Sequence, residues 1–174
     1  MPNYLRPRIP GATILFTVAL AERSSDLLVS EIRLLRSAFN ATLTQRPVAI
    51  DALVELPNHL DAVLVLPKGD SDYALRWRQI ETRFSRVLTN GRMRPSHETR
   101  AERGIWQRRF WEHHIRDAED YRVHMEYCWW NPVKHGFVER ASDWPHSSLH
   151  RDICAGRAGR SGCSNCISGY HAER

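Results

Sequence analysis

"VAIDALVELPNHLDAVLVL", residues 48–66, holds two apolar runs on either side of a Pro57–Asn58 turn. Runs of this length, rich in Val, Leu and Ile and bounded by turn residues, read as strands. The spacing predicts strands over 48–56 and 60–66, close enough to pair as an antiparallel hairpin. Upstream, "ATILFTVAL" at 12–20 reads as a buried strand. Leu28, Ile32, Leu35 and Phe39 then recur at helical spacing behind the capping residues Ser24 and Ser25. Downstream, Trp77, Ile80, Phe84 and Val87 mark a helix from Tyr73 to Leu88. Residues 90–104 are polar, Arg-rich and broken by Gly and Pro, the composition of a flexible basic loop. "IWQRRFWEHHI" at 105–115 is the fourth strand candidate. A third helix is expected over 117–131, capped by Asp117 and stopped by Pro132, with irregular chain after Gly136. The order βαββαβα folds most simply as an α+β, ferredoxin-like antiparallel sheet with helices on one face and the other face open. One domain over 1–152 is expected, followed by a flexible Gly/Ser/Arg/Cys tail over 153–174.

The 174-residue chain is 42% hydrophobic and 26% charged, ordinary for a globular protein. No apolar run approaches the roughly 18 residues that a membrane span needs. Net charge is +5 and the pI is about 9.3. Arg supplies nearly all of the positive charge, since Lys occurs only at Lys68 and Lys134. Guanidinium forks match phosphate geometry, so a nucleic-acid partner fits the charge, as does a basic protein without one. Cys128, Cys154, Cys163 and Cys166, with no export signal, predict reduced thiols and a cytoplasmic location. Cys163 and Cys166 are half of a zinc-binding set, which Cys154 and His150 or His171 could complete.

Side chains alternate along a strand, so His59 and Asp61 share one face, opposite Leu60, Ala62 and Leu64. An imidazole and a carboxylate so placed are either a half-built metal site or ordinary polar residues beside a turn. On the third helix Tyr121, Met125, Cys128 and Trp129 fall on one face, which predicts core. Asp120, His124, Tyr127 and Asn131 fall on another, polar face. Tyr127 and Asn131 are one turn apart, so a phenol and an amide can address a single phosphate.

Three stretches carry a family resemblance: "LPNHLDAVLVLPKGDSDYALRWRQIETRFSR", "GIWQRRFWEHHIRDAEDY" and "HMEYCWWNPVKHGFVERASDWPHSSLHRD". Together they resemble the REP-associated tyrosine transposases, a branch of the HUH single-strand DNA nucleases and transposases. The resemblance runs from Tyr4 to Asp152. It implies an HUH fold and the cutting and rejoining of single-stranded DNA at hairpin-forming repetitive extragenic palindromes, through a 5′-phosphotyrosine. It implies Tyr127 as nucleophile, and His59, Asp61 and Asn131 as ligands for Mg²⁺ or Mn²⁺. Two positions depart from the pattern. Asp61 stands where the family usually has a second His, and Glu81 where it commonly has Lys. Both replacements add negative charge, which leaves a hairpin-binding protein of weakened or absent catalysis as the alternative. DNA contacts are expected from Arg76, Arg78, Arg83, Arg86, Arg108, Arg109, Lys134 and His135, and from Arg92, Arg94, Arg100 and Arg103 in the loop. Trp106, Trp111 and Trp130 are open to either base stacking or core packing.

Overall fold

The computed structural model describes residues 7–88 and 104–158. The expectations for Arg92, Arg94, Arg100, Arg103 and the basic loop, and for Cys163, Cys166 and His171, lie outside these residues. Four strands are present: β1 (Thr13–Ala19), β2 (Ala49–Glu55), β3 (His59–Val65) and β4 (Trp111–His114). The helices are α1 (Leu27–Ser30), α2 (Ile32–Gln45), α3 (Tyr73–Ser85), α4 (Ala118–Lys134) and α5 (Leu149–Cys154). The sheet order is β2-β3-β1-β4 with every neighbouring pair antiparallel, the ferredoxin-like order.

The expected hairpin forms, and a bulge at Asp51 corrects its register. Ile50 pairs with Leu64 and Ala52 with Val63, so one residue is left over. A bulge of this kind reverses the facing of the chain beyond it. Ile50 and Leu53 therefore pack with α2 and α3, while Ala52 and Val54 pack on the opposite side.

Helices cover both faces of the sheet, which corrects the expectation of one open face. Ile14, Phe16, Leu60, Ala62 and Leu64 bury against Leu35, Phe39, Trp77, Ile80 and Phe84 of α2 and α3. Leu15, Ala52, Val54 and Val63 bury against Met125 and Cys128 of α4. The physical reason lies in β3, whose interior residues are buried on both sides, as a central strand between two layers must be.

Helix α4 is capped as its sequence predicts: the Asp117 carboxylate accepts the Asp120 N–H at 2.9 Å. Its end differs from the expectation. Pro132 does not stop it, and the helix continues to Lys134. Gly136, at φ +73°, ends it instead. The Gly136 N–H donates to the Val133 carbonyl and the Phe137 N–H to the Pro132 carbonyl, both at 2.9 Å, the paired bonds of a glycine-terminated helix. Beyond it the chain is ordered rather than irregular. A 3-10 turn at Ala141–Asp143 precedes α5, and the Trp144 indole N–H donates to the Glu55 carbonyl at 3.0 Å. The expected domain boundary at 152/153 falls within α5.

Arg76 belongs to the fold and not to the surface expected to meet DNA. It is 2% exposed. Its guanidinium donates to the carbonyls of Arg46 (3.1 Å), Asp72 (3.0 Å) and Pro47 (2.9 Å) and to the Asp70 carboxylate (2.6 Å). It thus ties the start of α3 to the loop between α2 and β2. The bond from Arg76, and then the Asp72 N–H, hold the Asp70 carboxyl below the usual carboxylate range. A carboxyl with a lowered folded value contributes stability above its unfolded pKa and loses it as pH falls through the folded one. Asp70→Asn is therefore expected to flatten the acid limb of the stability profile below about pH 4 and leave the neutral slope unchanged. Urea unfolding across that range measures it.

Candidate functional site

Asp61 projects from β3 toward α4, where Asn131 meets it, and His59 lies beside His135 at the end of that helix. The Asp61 carboxylate is 0% exposed. It accepts the hydroxyl of Thr17 on β1 and the side-chain amide of Asn131. Burial pushes its pKa up to about 6, against those two bonds and the charge of Lys134, which pull it down. The sequence placed Asn131 on a polar helix face. That face is turned into the protein, for His124 and Asn131 are both buried.

His59 is oriented through its neighbour. The Asn58 amide donates to the Arg23 carbonyl, which turns its oxygen toward His59 Nδ1 at 2.7 Å. Nδ1 then carries the proton, and Nε2 is left with its lone pair. Burial, followed by the fields of His135 and Arg23, lowers the His59 pKa to about 4, so the ring is neutral. The His135 ring stands edge-on to it at 5.0 Å.

The donor set suits a hard divalent cation: a neutral imidazole nitrogen, a carboxylate and an amide oxygen. Asn131 Oδ1 is buried and has no hydrogen-bond partner among the described residues. A buried amide oxygen without a partner is a costly arrangement that a ligand would relieve.

The two tyrosines of α4 have different fates. Tyr127 is half-buried, with the Lys134 ammonium 5.1 Å from its ring centroid. Tyr121 is committed elsewhere: its hydroxyl donates to Asp51 at 2.8 Å. Burial, with Asp51, pushes that phenol up to about 12. Cys128 is fully buried, and burial raises its thiol well above the ordinary range, so it offers no thiolate. Tyr121→Phe is expected to cost about 1 kcal/mol of stability and to leave any covalent chemistry at Tyr127 intact. A denaturing-gel adduct assay checks this, and loss of the adduct would move the nucleophile to Tyr121.

The basic residues named from sequence divide. Arg78, Arg86 and Arg108 line one cleft of about 470 Å³, together with Glu81 and Trp106. Arg83 donates to the Gln45 side chain at 2.7 Å. Arg109 is exposed on the approach to β4. Lys134 and His135 are exposed at the end of α4, beside the His59 site. Trp106 is a packing residue, its N–H donating to Ser85 at 3.0 Å and its ring against Phe84.

One cluster was missed from sequence. His113, Asp120 and His124 place ligand-capable atoms within 4.8 Å of one another. The Asp120–His124 spacing of one helical turn was the available signal. The distant partner His113 gave none.

No protein-family model matches the chain. A REP-associated tyrosine transposase of Escherichia coli (strain K12) is 42% identical over 156 residues, which span 90% of this chain and 87% of that protein. The chain belongs to the REP-associated tyrosine transposase family. A putative REP-associated tyrosine transposase of Haemophilus influenzae (strain ATCC 51907 / DSM 11121 / KW20 / Rd) is 41% identical over 157 residues, 89% of each chain. Among solved structures, a REP-associated tyrosine transposase bound to a REP hairpin matches with a TM-score of 0.85 and 39% identity, over 100% of this chain and 98% of that one. The four-stranded antiparallel sheet with its helices matches that fold. Among the described residues no helix is long and apolar enough to cross a membrane.

Proposed function

We propose that this protein cuts and rejoins single-stranded DNA beside a REP-type hairpin, with Tyr127 as nucleophile. The observation that carries the reading is the contact of Asn131 with Asp61. It lays α4 across β3, and Tyr127 lies one helical turn before Asn131 on that helix. The family membership and the hairpin-bound relative support the same substrate.

In the reaction the Tyr127 oxygen forms a bond to a backbone phosphorus and the P–O3′ bond breaks. The phenol proton passes through solvent to the departing 3′ oxygen. The strand end is held as a 5′-phosphotyrosine, which a 3′-hydroxyl reverses without external energy. Lys134 places a cation over the ring, where it attracts an approaching phosphate. His59, Asp61 and Asn131 would hold Mg²⁺ or Mn²⁺, which when bound supplies Lewis-acid polarisation of the phosphate. Arg78, Arg86, Arg108, Arg109, Lys134 and His135 serve as phosphate contacts.

The test is incubation with single-stranded hairpin DNA and either metal, followed by a denaturing gel and peptide mapping. A covalent adduct on Tyr127 is the expected result. One observation favours a second reading, in which the protein binds hairpins without cutting them: both Asp61 oxygens are already engaged, by Thr17 and Asn131. Tight hairpin binding with no adduct in either metal would establish that alternative.

A further inference from the structure

Trp111 is 50% exposed on edge strand β4. Its position within the sheet gives that exposure a meaning. Trp111 lies opposite Thr17 on β1, and Thr17 lies opposite Asp61 on β3. Residues directly opposite across an antiparallel pair point to the same face. Trp111 therefore shares the α4 face with Asp61 and stands two strand spacings away, about 10 Å.

The indole is also braced. Its ring lies parallel to His113, with centroids 6.0 Å apart and planes at 12°. His113 in turn stacks on buried His124 at 4.3 Å and 18°. Asp120 clamps both imidazoles, with His113 Nε2 and His124 Nδ1 each 3.0 Å from a carboxylate oxygen. The Arg116 N–H fixes that carboxylate at 3.0 Å. The His–Asp–His cluster thus forms a rigid ladder of flat rings from inside α4 to an indole half open to solvent.

We infer that Trp111 is a stacking subsite for an unpaired nucleobase of the strand presented to Tyr127. The inference rests on the reading of Tyr127 and deepens it. Exposed Arg109 lies two residues before Trp111 in the chain, a cation suited to the phosphate beside a stacked base. An indole backed on one side loses little freedom when a base covers the other, and stacking of this kind tolerates any base.

The test is fluorescence anisotropy with a labelled hairpin carrying a single-stranded flank. Trp111→Ala is expected to weaken binding roughly tenfold. Trp111→Phe, which keeps a flat ring, retains most of the affinity, and Trp111→Leu, which keeps apolar bulk alone, behaves like Ala. Thermal melts of all three confirm that the half-exposed site tolerates the changes. An abasic nucleotide walked along the flank is expected to cost the natural protein the same factor at one position, and to cost Trp111→Ala nothing further there. Unchanged affinity in Trp111→Ala, or additive losses at every flank position, overturns the subsite. So does unchanged DNA affinity with a shift from dimer to monomer in sedimentation, which would mean that the indole covers a second copy of the chain. Failure of the underlying reading looks different: the natural protein then forms no Tyr127 adduct at saturating DNA, whatever Trp111 does.

Discussion

Tyr127→Phe is expected to form no covalent adduct with hairpin DNA, a fall of at least about 10⁴-fold in cleavage, to below detection. The change removes one oxygen and leaves the ring. The packing of Tyr127 with the Met125–Cys128 cluster and the Lys134 contact are therefore retained. Stability should drop by about 1 kcal/mol or less, and hairpin affinity should remain. Those two controls separate a missing nucleophile from a damaged fold. Cys128 cannot substitute, because its thiol is buried and held protonated. Tyr121 cannot, because its hydroxyl is bound to Asp51. An adduct that persists in Tyr127→Phe would overturn the assignment of the nucleophile.

Arg76→Ala is the second large effect, and it falls on stability. Removing one partner from a buried, hydrogen-bonded charge cluster costs about 3 kcal/mol or more, because the remaining groups stay buried without partners. Here the carbonyls of Arg46, Pro47 and Asp72 lose their donor and Asp70 loses its counter-charge. For a chain of this length the melting temperature should fall by about 6–12 °C. Lysine does not rescue it, since one ammonium cannot reproduce a planar fork bonded in four directions. Urea unfolding reads the stability, and anisotropy reads DNA binding at a temperature where the variant is folded. A shift of under about 1 kcal/mol together with weakened DNA binding would return Arg76 to the DNA surface.

The contrast between these residues shows what local pattern can carry. Tyr127 and Asn131 were legible because one helical turn relates them, whatever the rest of the chain does. His59 and Asp61 were legible for the same reason, since alternation along one strand puts them on one face. Asp117 as a cap and the Pro57–Asn58 turn are likewise properties of a few adjacent residues. Arg76 sits in an equally regular helix, but its fate depends on carbonyls some 30 residues away. Its spacing from Tyr73 and Ile80 puts it beside the core stripe and away from exposed Arg78, but the Arg46 and Pro47 carbonyls that satisfy it have no local signal.

The amino-acid order by itself determined the strands, the body of each helix, the hairpin and the one-turn spacing of Tyr127 and Asn131, because each is an interaction between residues within a turn or two. Only the tertiary structure decided that α4 closes the second sheet face, that the supposed polar side of that helix is buried, and that His113 meets Asp120 and His124. Those outcomes depend on where distant segments come to rest. That is set by the total apolar area the sheet must cover on both sides, a sum over the whole chain that no single stretch displays.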